Sequence, residues 1–503
     1  MDGTVWESLL CEGAEQFPID KESGKISMAD FLTLFQNYAS ESKISDSTFA
    51  KASGLSRAYI NKIRNGKKFC KNYEKMMKVI ECLQLEKNAE DELKLAYQMQ
   101  LSDDNGYMIV DAVSQLIKSF ASIAMERDNM ILVKEEVWPE QKIYYYKENI
   151  MIVCRKLIEQ EAVKRDGHIR LLMQPGQVQI QEALKWGLRN NSDFQVDQLI
   201  GLEKTAGNNY LKKTNVELLQ QLVPIILSQQ KLNYRVYYHY EWMTSYLSIF
   251  RIASHFLITG SQVLCINDDF SQAILWSGET SVTHFAKVFD DMIRKADMLY
   301  FTSADPVGVY ADFFVDASDN CPAYTMGGQP CLGIAANDAM FEKYAIDLHS
   351  NEVMQRLLQF NQKVRQMYHT TTVVAYFTRR GLQRLLETGW LEEIPQELYH
   401  PLELEDRKAL IRNLIDLARK GNYEPHLIDE AQFDRYPVGL VIDCYSENDI
   451  VVYYHTDFVE KHFIIKEVSL ANCFYQYMEW MRTSSKVCSV EETLAYLENL
   501  ITV

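Results

Sequence analysis

The 503-residue sequence lacks the features that mark a membrane protein or a familiar enzyme. It contains no run of eighteen apolar residues and no charged start followed by an apolar segment, so we expect a cytoplasmic chain without a membrane partner. It also lacks a Walker loop, a GxSxG elbow and an HExxH pair. Nucleotide hydrolysis, acyl transfer and zinc proteolysis therefore have no motif, and we expect no catalytic residue, cofactor or metal.

The sequence also has no closely spaced cysteine pair and few prolines. Ten cysteines are scattered along the chain without a CxxC pair, which favours buried, reduced thiols over disulfides or zinc ligands. With only 11 prolines and 47% apolar residues, the chain has material for two to four compact domains.

Acidic residues outnumber basic ones in the chain as a whole, but one segment is strongly positive. The whole chain has a net charge of −17, whereas Lys43–Lys78 contains ten basic and two acidic residues, a net charge of +8 that leaves −25 for the remainder. Such a distribution concentrates phosphate contact on one module and makes the rest repel a duplex.

This segment has the local signals of two short helices joined by a sharp turn. Ser45 and Ser56 are predicted to cap the helices, because a serine hydroxyl can accept from an unpaired amide in the first helical turn. Gly54 stands where a residue with positive φ would end the first helix. Ile60 and Ile63 then share the buried face of the second helix.

The outward face of that second helix has groups that suit a DNA major groove, in which Arg can address guanine and Asn adenine. Together with Ser56 and two following lysines, they make the predicted DNA-binding set: Ser56, Arg57, Tyr59, Asn61, Lys62, Arg64, Lys67 and Lys68.

The order of these residues resembles the Cro and lambda-repressor-like (Xre) helix-turn-helix family. The resemblance rests on Ala50, Gly54, Leu55, Ser56, Ile60, Ile63, Asn65, Gly66 and Lys67, and covers roughly residues 28–100, including a first helix at Phe31–Ala39. It implies binding to double-stranded DNA, with Lys67, Lys68 and Lys71 on the phosphate backbone. Family members often open the second helix with a glutamine that contacts phosphate, and here Asp46 stands at or near that place, which puts that one contact in doubt.

A helix predicted at Ile109–Met125 carries an apolar stripe. Such a stripe usually faces a core, and a dimer seam is the alternative, because many DNA readers of this kind bind two half-sites as dimers.

From about residue 144 the pattern alternates between strands and helices, which favours an α/β layer fold. Strands are predicted at His168–Met173, Gln195–Leu202 and Tyr234–Tyr240, and helices at Ile180–Leu188 and Val216–Leu227.

Four landmarks indicate an internal duplication. Ile180-Gln181, Leu184 and Gly187 recur 202 residues later as Leu382-Gln383, Leu386 and Gly389. Asn233-Tyr234 and Asn422-Tyr423 are offset by 189, Asp269-Phe270 and Asp457-Phe458 by 188, and Phe285 and Phe474 by 189. One loop-length difference between Gly187 and Asn233 would explain the single change of offset. Two related α/β lobes would leave a cleft for a small ligand.

Three further features of the sequence predict neither a reaction nor a metal site. A duplicated α/β body also suggests phospholipase D-like folds. That chemistry needs a lysine two residues after a histidine, and none of the ten histidines is followed by lysine at that spacing. The loop Asp312–Cys331 gathers aspartates and cysteines without the spacing of a calcium or zinc site, so a surface loop is favoured. The aromatic runs at 144–146 and 237–240 are typical of packed strand layers.

The sequence therefore predicts a multidomain regulator: an all-α helix-turn-helix domain followed by a larger α/β body that serves as sensor and oligomerisation module. We expect double-stranded DNA, a small-molecule or protein effector, and a second copy in a homodimer as partners. The alternatives are a DNA-targeted enzyme with an unrecognised site between the lobes and a protein-interaction scaffold. The predicted segments are an extension (1–27), the DNA-binding domain (28–101), a helical linker and dimerisation segment (107–160), lobe 1 (160–300), an inter-lobe connection (301–370) and lobe 2 (371–498).

Overall fold

The computed structural model divides the chain into two compact units, Met1–Tyr107 and Met108–Val503. It describes residues 31–42, 44–68, 70, 73–86, 89–90, 93–94, 96–97, 105–123, 133, 136–204, 212–240, 254–302, 322–346, 352–367, 371–394, 396–429, 436–456, 460–484 and 486–502. The predicted extension 1–27, most of the loop 312–331 and the pair Asp457-Phe458 lie outside the described residues.

The first unit is helical where it is described. Its helices are α1 (Phe31–Glu41), α2 (Asp46–Ser53), α3 (Arg57–Arg64) and α4 (Tyr73–Glu81). Aromatic and aliphatic side chains from all four helices form one buried core, among them Phe31, Phe35, Phe49, Ile60, Ile63, Met76 and Ile80. The predicted first helix and the predicted buried pair, Ile60 and Ile63, are confirmed.

The second unit is built mainly of alternating strands and helices. Its elements up to the end of the first sheet are α5 (Asn105–Ile123, which begins just before the unit boundary), β1 (Gln141–Tyr145), α6 (Lys147–Ala162), β2 (His168–Leu172), α7 (Val178–Asn190), β3 (Gln195–Gly201), α8 (Lys213–Ser228), β4 (Tyr234–His239), β5 (His255–Ile258), β6 (Gln262–Ile266), β7 (Gln272–Ser277), α9 (Glu279–Ile293) and β8 (Asp297–Met298). The remaining elements are β9 (Tyr300–Thr302), β10 (Ala323–Met326), α10 (Asp338–Tyr344), α11 (Glu352–Met367), β11 (Val373–Phe377), α12 (Arg379–Thr388), α13 (Leu404–Arg419), β12 (Tyr423–Leu427), β13 (Leu440–Ser446), β14 (Asp449–His455), β15 (Glu460–Ile465), α14 (Val468–Thr483) and α15 (Val490–Thr502).

The strands form two mixed sheets that follow one plan. The first has the order β1-β7-β6-β5-β2-β3-β4-β8 and the second β12-β11-β10-β13-β14-β15-β9. Each sheet has three parallel strands, β2, β3 and β4 in the first and β10, β11 and β12 in the second. An antiparallel meander pairs with the first of these strands, β5-β6-β7 with β2 and β13-β14-β15 with β10. The predicted α/β body is confirmed.

The shared plan corrects one of the sequence landmarks. Asn233 and Asn422 precede β4 and β12, which hold the same place in the two sheets, and Phe285 and Phe474 lie in the equivalent helices α9 and α14. The Ile180 landmark lies in α7 after the first parallel strand, whereas its partner lies in α12 after the second.

The glycines of that landmark differ accordingly. Gly187 lies inside α7, whereas Gly389 ends α12 with φ +76°. The pairing of this landmark was therefore wrong, and the change of offset reflects a shift by one strand rather than a loop-length difference.

One hydrophobic core contains a face of each sheet together with α6, α7, α8 and α14, and α5 belongs to it. Ile109, Val113, Leu116, Ile117 and Phe120 are at most 2% exposed. The Tyr454 hydroxyl donates to the carbonyl of Phe120 at 3.0 Å. The apolar stripe therefore faces the core, and the alternative of a dimer seam does not hold for these five residues.

Two predicted segments differ from the structure. Residues 107–160 were predicted as a helical linker and dimerisation segment. The predicted helix is present as α5, but it lies in the core, and β1 of the same segment lies in the first sheet. Residues 301–370 were predicted as a connection, but β10 within them pairs with β11 and β13 near the centre of the second sheet. Neither strand was predicted, because a strand of four or five residues carries little periodic signal until its neighbours are known.

Candidate nucleic-acid interface

Two serine caps and one glycine determine where α2 and α3 begin and where the chain turns between them. The Ser45 hydroxyl accepts from the Thr48 amide at 3.3 Å, and the Ser56 hydroxyl accepts from the Tyr59 amide at 3.2 Å. Between them Gly54 has φ +67° and donates its amide to the Ala50 carbonyl at 3.0 Å. A Cβ at Gly54 would meet no atom within 4 Å, so the backbone conformation is what favours glycine there. The predicted caps and turn are confirmed.

Helix α3 separates an apolar face from a polar one. Ile60 and Ile63 are fully buried in the core of the helical unit, whereas Arg57 and Lys62 are exposed. Because the buried pair fixes the rotation of the helix, the two cations point away from the core. They lie on the surface that would face a duplex in a helix-turn-helix protein.

Four other members of the predicted set surround this face. Ser56 is exposed but serves as the cap, and Tyr59 is half-buried. Lys67 and Lys68 are exposed just after α3, and the Lys68 ammonium lies 4.8 Å from the centroid of the Tyr59 ring. This cation–π contact places one positive charge beside the end of α3. Lys71 lies outside the described residues.

The last two members, Asn61 and Arg64, are held by contacts within the unit. The Asn61 amide group donates to Asp46 at 3.0 Å, and Arg64 donates to the other oxygen of the same carboxylate at 3.0 Å. Arg64 also donates to the carbonyls of Ile44 and Ala39, at 3.0 and 2.6 Å. These bonds join α3 to α2 and to the end of α1. Contact of Asn61 and Arg64 with DNA stays a prediction.

Asp46 therefore acts as a bridge between the two helices. The hydrogen bond from Asn61 lowers the pKa of this carboxyl, burial opposes the effect, and the bond and charge of Arg64 add to the lowering. Asp46 is thus a carboxylate at neutral pH, the form that can bind both partners. The departure from the family pattern at Asp46 is visible in the sequence, but this role is not, because it depends on side chains fifteen and eighteen residues away.

A cleft in the body is the second place with concentrated polar groups. Its volume is about 600 Å³, and it lies at the carboxyl ends of β10 and β11 and beside the chain entering β13. The lining side chains and backbone come mainly from Gly328, Arg380, Arg384, Glu387, Glu392 and Tyr436. Burial raises the pKa of Glu392, and the charges of Arg384 and Arg380 oppose that rise. Crevices at the carboxyl ends of sheet strands are common ligand sites in α/β folds.

Within the described ranges, three or more His, Cys, Asp or Glu side chains are nowhere grouped so as to hold a metal ion. In the same ranges, no helix has both the length and the apolar composition needed to cross a membrane.

Comparison with known proteins adds little. No family model matches the chain, and no curated protein matches it. One similar solved structure is TrmBL2, described as an archaeal chromatin protein with a novel mode of DNA binding, with 13% identity over 42% of this chain and 70% of that chain, and a TM-score of 0.23. Another is polyphosphate kinase from Porphyromonas gingivalis, with 10% identity over 72% of this chain and 56% of that chain, and a TM-score of 0.22. Scores this low establish no common overall fold with either structure.

Proposed function

We propose that the protein is a sequence-specific DNA-binding transcription regulator whose reading head is an Xre-like helix-turn-helix. The observation that carries the proposal is the exposed face of α3, where Arg57 and Lys62 project from a helix whose opposite side is locked into a core. The segment around it has a net charge of +8 in a chain of −17. Phosphate attraction would therefore be confined to this module.

The exposed residues would make two kinds of contact with DNA. Arg57 and Lys62 would reach base edges or phosphates in the major groove, and Lys67 and Lys68 would contact the backbone beyond the helix. Asp46 would hold α2 at a fixed angle to α3 through Asn61 and Arg64. Asn61 and Arg64 would then fix the position of the DNA-contacting face of α3.

The α/β body would serve as the sensor and oligomerisation module. Its shared strand plan and the matching positions of Asn233 and Asn422 support descent of the two sheets from one duplicated ancestor. The cleft at Gly328 and Arg380 has the volume of a small-molecule site. An effector that favours one state of the body would change DNA affinity by coupling between two sites.

The first experiment is selection of bound DNA from a random pool with the full chain. We expect one enriched motif, and its symmetry will report how many reading heads bind together. The motif then serves as the probe for Arg57→Ala combined with Lys62→Ala. This variant should lose about 100-fold or more in affinity for the motif, because each specific contact contributes about 1–3 kcal/mol.

The matched control is Lys51→Ala combined with Lys78→Ala. It removes the same two charges from exposed positions of the same unit, but not from α3. It should weaken motif and random DNA by similar, smaller factors, and both variants should keep the circular dichroism of the parent. If no motif is enriched, or if the α3 variant still discriminates the motif at moderate salt, the proposal is wrong.

A further inference from the structure

The two sheets have four lateral edges in the described part of the chain, and three of them are protected. The edges β8 and β9 are two and three residues long, too short to template another strand. Edge β12 has Pro425 at its centre, and its last residue, Leu427, accepts from the Cys488 amide at 2.8 Å. The Leu427 amide donates to the Thr493 hydroxyl at 3.0 Å, so the segment leading into α15 covers this edge.

The fourth edge, β1, has none of these protections. It is five residues long and contains no proline, and its register with β7 runs without a bulge from Gln141 to Tyr145. Ile143 and Tyr145 are 48% and 52% exposed. Long exposed edges with apolar side chains are uncommon in monomers because they pair with other strands.

The backbone of β1 shows which groups are available for pairing. The Tyr146 amide donates to the Ser271 carbonyl at 2.9 Å, and the Glu140 carbonyl accepts from the Ser277 amide at 2.8 Å. Since antiparallel strands alternate, the even-numbered residues face β7, and Gln141, Ile143 and Tyr145 direct their amides and carbonyls outward. Within the described residues, one of these six groups has a partner, the Tyr145 carbonyl, which accepts from the Asn149 side chain at 3.1 Å.

We propose that this edge pairs in antiparallel fashion with β1 of a second copy of the chain, about a twofold axis at Ile143. In that register Ile143 lies opposite its own counterpart, Gln141 lies opposite Tyr145, and the six outward groups of one copy form six hydrogen bonds with the six outward groups of the other. The same residues serve both sides, as an isologous interface requires.

The side chains of this register are compatible as well. Lys142 lies opposite Tyr144, which suits a cation–π contact, and Glu140 lies opposite Tyr146, which suits a bond from the phenol to the carboxylate. No charge directly faces a like charge. Lys142 already lies 4.9 Å from the centroid of its own Tyr144 ring, so the ammonium is preplaced beside this face.

The local charge favours a second copy over repulsion. Residues 136–156 contain four basic and three acidic side chains, a net charge of +1, whereas the whole chain has −17. The edges of two copies therefore meet with little net charge on either side. The inference does not depend on DNA binding, and a dimer formed in this way carries two copies of α3.

The test measures the oligomeric state of the full chain by sedimentation equilibrium. We expect the parent protein to be a dimer, and Ile143→Lys to raise the dimer dissociation constant by about 100-fold or more, because two ammonium groups then meet at the axis. Ile143→Pro should also weaken the dimer. It removes an outward amide that the pairing with β7 does not use, so the sheet should stay folded.

The matched control is Leu404→Lys on α13. Leu404 is 48% exposed, the same as Ile143, but it lies on a helix of the second half of the body and not on the strand edge. This variant should dimerise like the parent. A monomeric parent, or a dimer that survives Ile143→Lys or weakens equally with Leu404→Lys, would overturn the inference, whatever the outcome of the DNA selection.

Discussion

Both sheets of the body bury aspartate side chains, and Asp197 on β3 and Asp443 on β13 do so in opposite surroundings. Asp197 is 4% exposed and accepts from Arg235 at 2.6 Å and lies 2.8 Å from the ring nitrogen of His168. Asp443 is 5% exposed, and Tyr445 donates to one of its oxygens at 3.3 Å. Its other oxygen has no hydrogen-bond partner among the residues described. Equal burial therefore does not mean equal electrostatics.

The pKa values of the two carboxyls move in opposite directions. Burial alone would raise the pKa of Asp197, but the hydrogen bonds from His168 and Arg235 and the charge of Arg235 outweigh burial and lower it. Burial raises the pKa of Asp443 to about 6, and its hydrogen bonds with Thr325 and Tyr445 only reduce the rise. The first sheet thus stabilises the buried charge of Asp197, whereas the second leaves the charge of Asp443 nearly uncompensated.

The largest expected difference between the sheets lies in their helix packing. A Cβ on Gly381 of α12 would lie 1.9 Å from the Gly328 carbonyl oxygen, which belongs to the backbone and cannot move aside. A Cβ on Gly187 of α7 would lie 2.8 Å from the Cβ of Ala162 and from a ring atom of Phe194, which is a milder overlap. Gly381→Ala should therefore cost about 4 kcal/mol in the free energy of unfolding, and Gly187→Ala about 1–2 kcal/mol.

Urea unfolding of the two variants, followed by circular dichroism, measures this difference. The two substitutions add the same methyl group, so each serves as the control of the other. Equal costs would show that the backbone near Gly328 relaxes as readily as the side chains around Gly187, and the contrast between the two helix contacts would be lost.

A second, smaller contrast concerns the supported charge. Asp197→Asn should destabilise the protein by about 2–3 kcal/mol at pH 7. It removes the buried charge partner of Arg235, but the Arg235 side chain is 42% exposed, so water replaces part of the lost interaction. A lowered pKa contributes stability above the usual value of 3.8 that is lost as the pH falls, so the cost should shrink below pH 4. Unfolding midpoints from pH 3 to pH 7 measure it. A cost that does not change with pH would assign the effect to packing.

Helices α2 and α3 and the turn between them could be predicted because their signals are local. Ser45, Gly54 and Ser56 determine their caps and turn through atoms at most four residues away. The alternation of β2, α7 and β3 is also local, and the strands predicted there differ from the observed ones by one residue at most. The predicted buried pair on α3 follows from helical spacing alone.

The remaining features depend on pairings that no local pattern encodes. The segments around β2 and β11 both read as an apolar run followed by an amphipathic helix, yet they hold different places in their sheets. Only the neighbouring strands distinguish them, which is why the first duplication landmark was mispaired. The bridge from Asp46 to Asn61 and Arg64 and the cleft around Arg380 likewise join residues that lie far apart in the chain.

The smallest expected effect, and the one of opposite sign, belongs to the uncompensated charge. Because the pKa of Asp443 is raised to about 6 in the folded protein, the native state binds more protons than the unfolded state between about pH 4 and 6. The free energy of unfolding therefore falls as the pH rises through this window, and the ionised carboxylate is least favourable above it. Asp443→Asn removes this penalty and should stabilise the protein by about 2 kcal/mol at pH 8, with no gain below pH 4. Urea midpoints of the variant and the parent at pH 4, 6 and 8 measure the gain. Destabilisation at pH 8 would mean that a cation, or stronger hydrogen bonds than those of Thr325 and Tyr445, compensates the carboxylate, and Asp443 and Asp197 would then be equivalent after all.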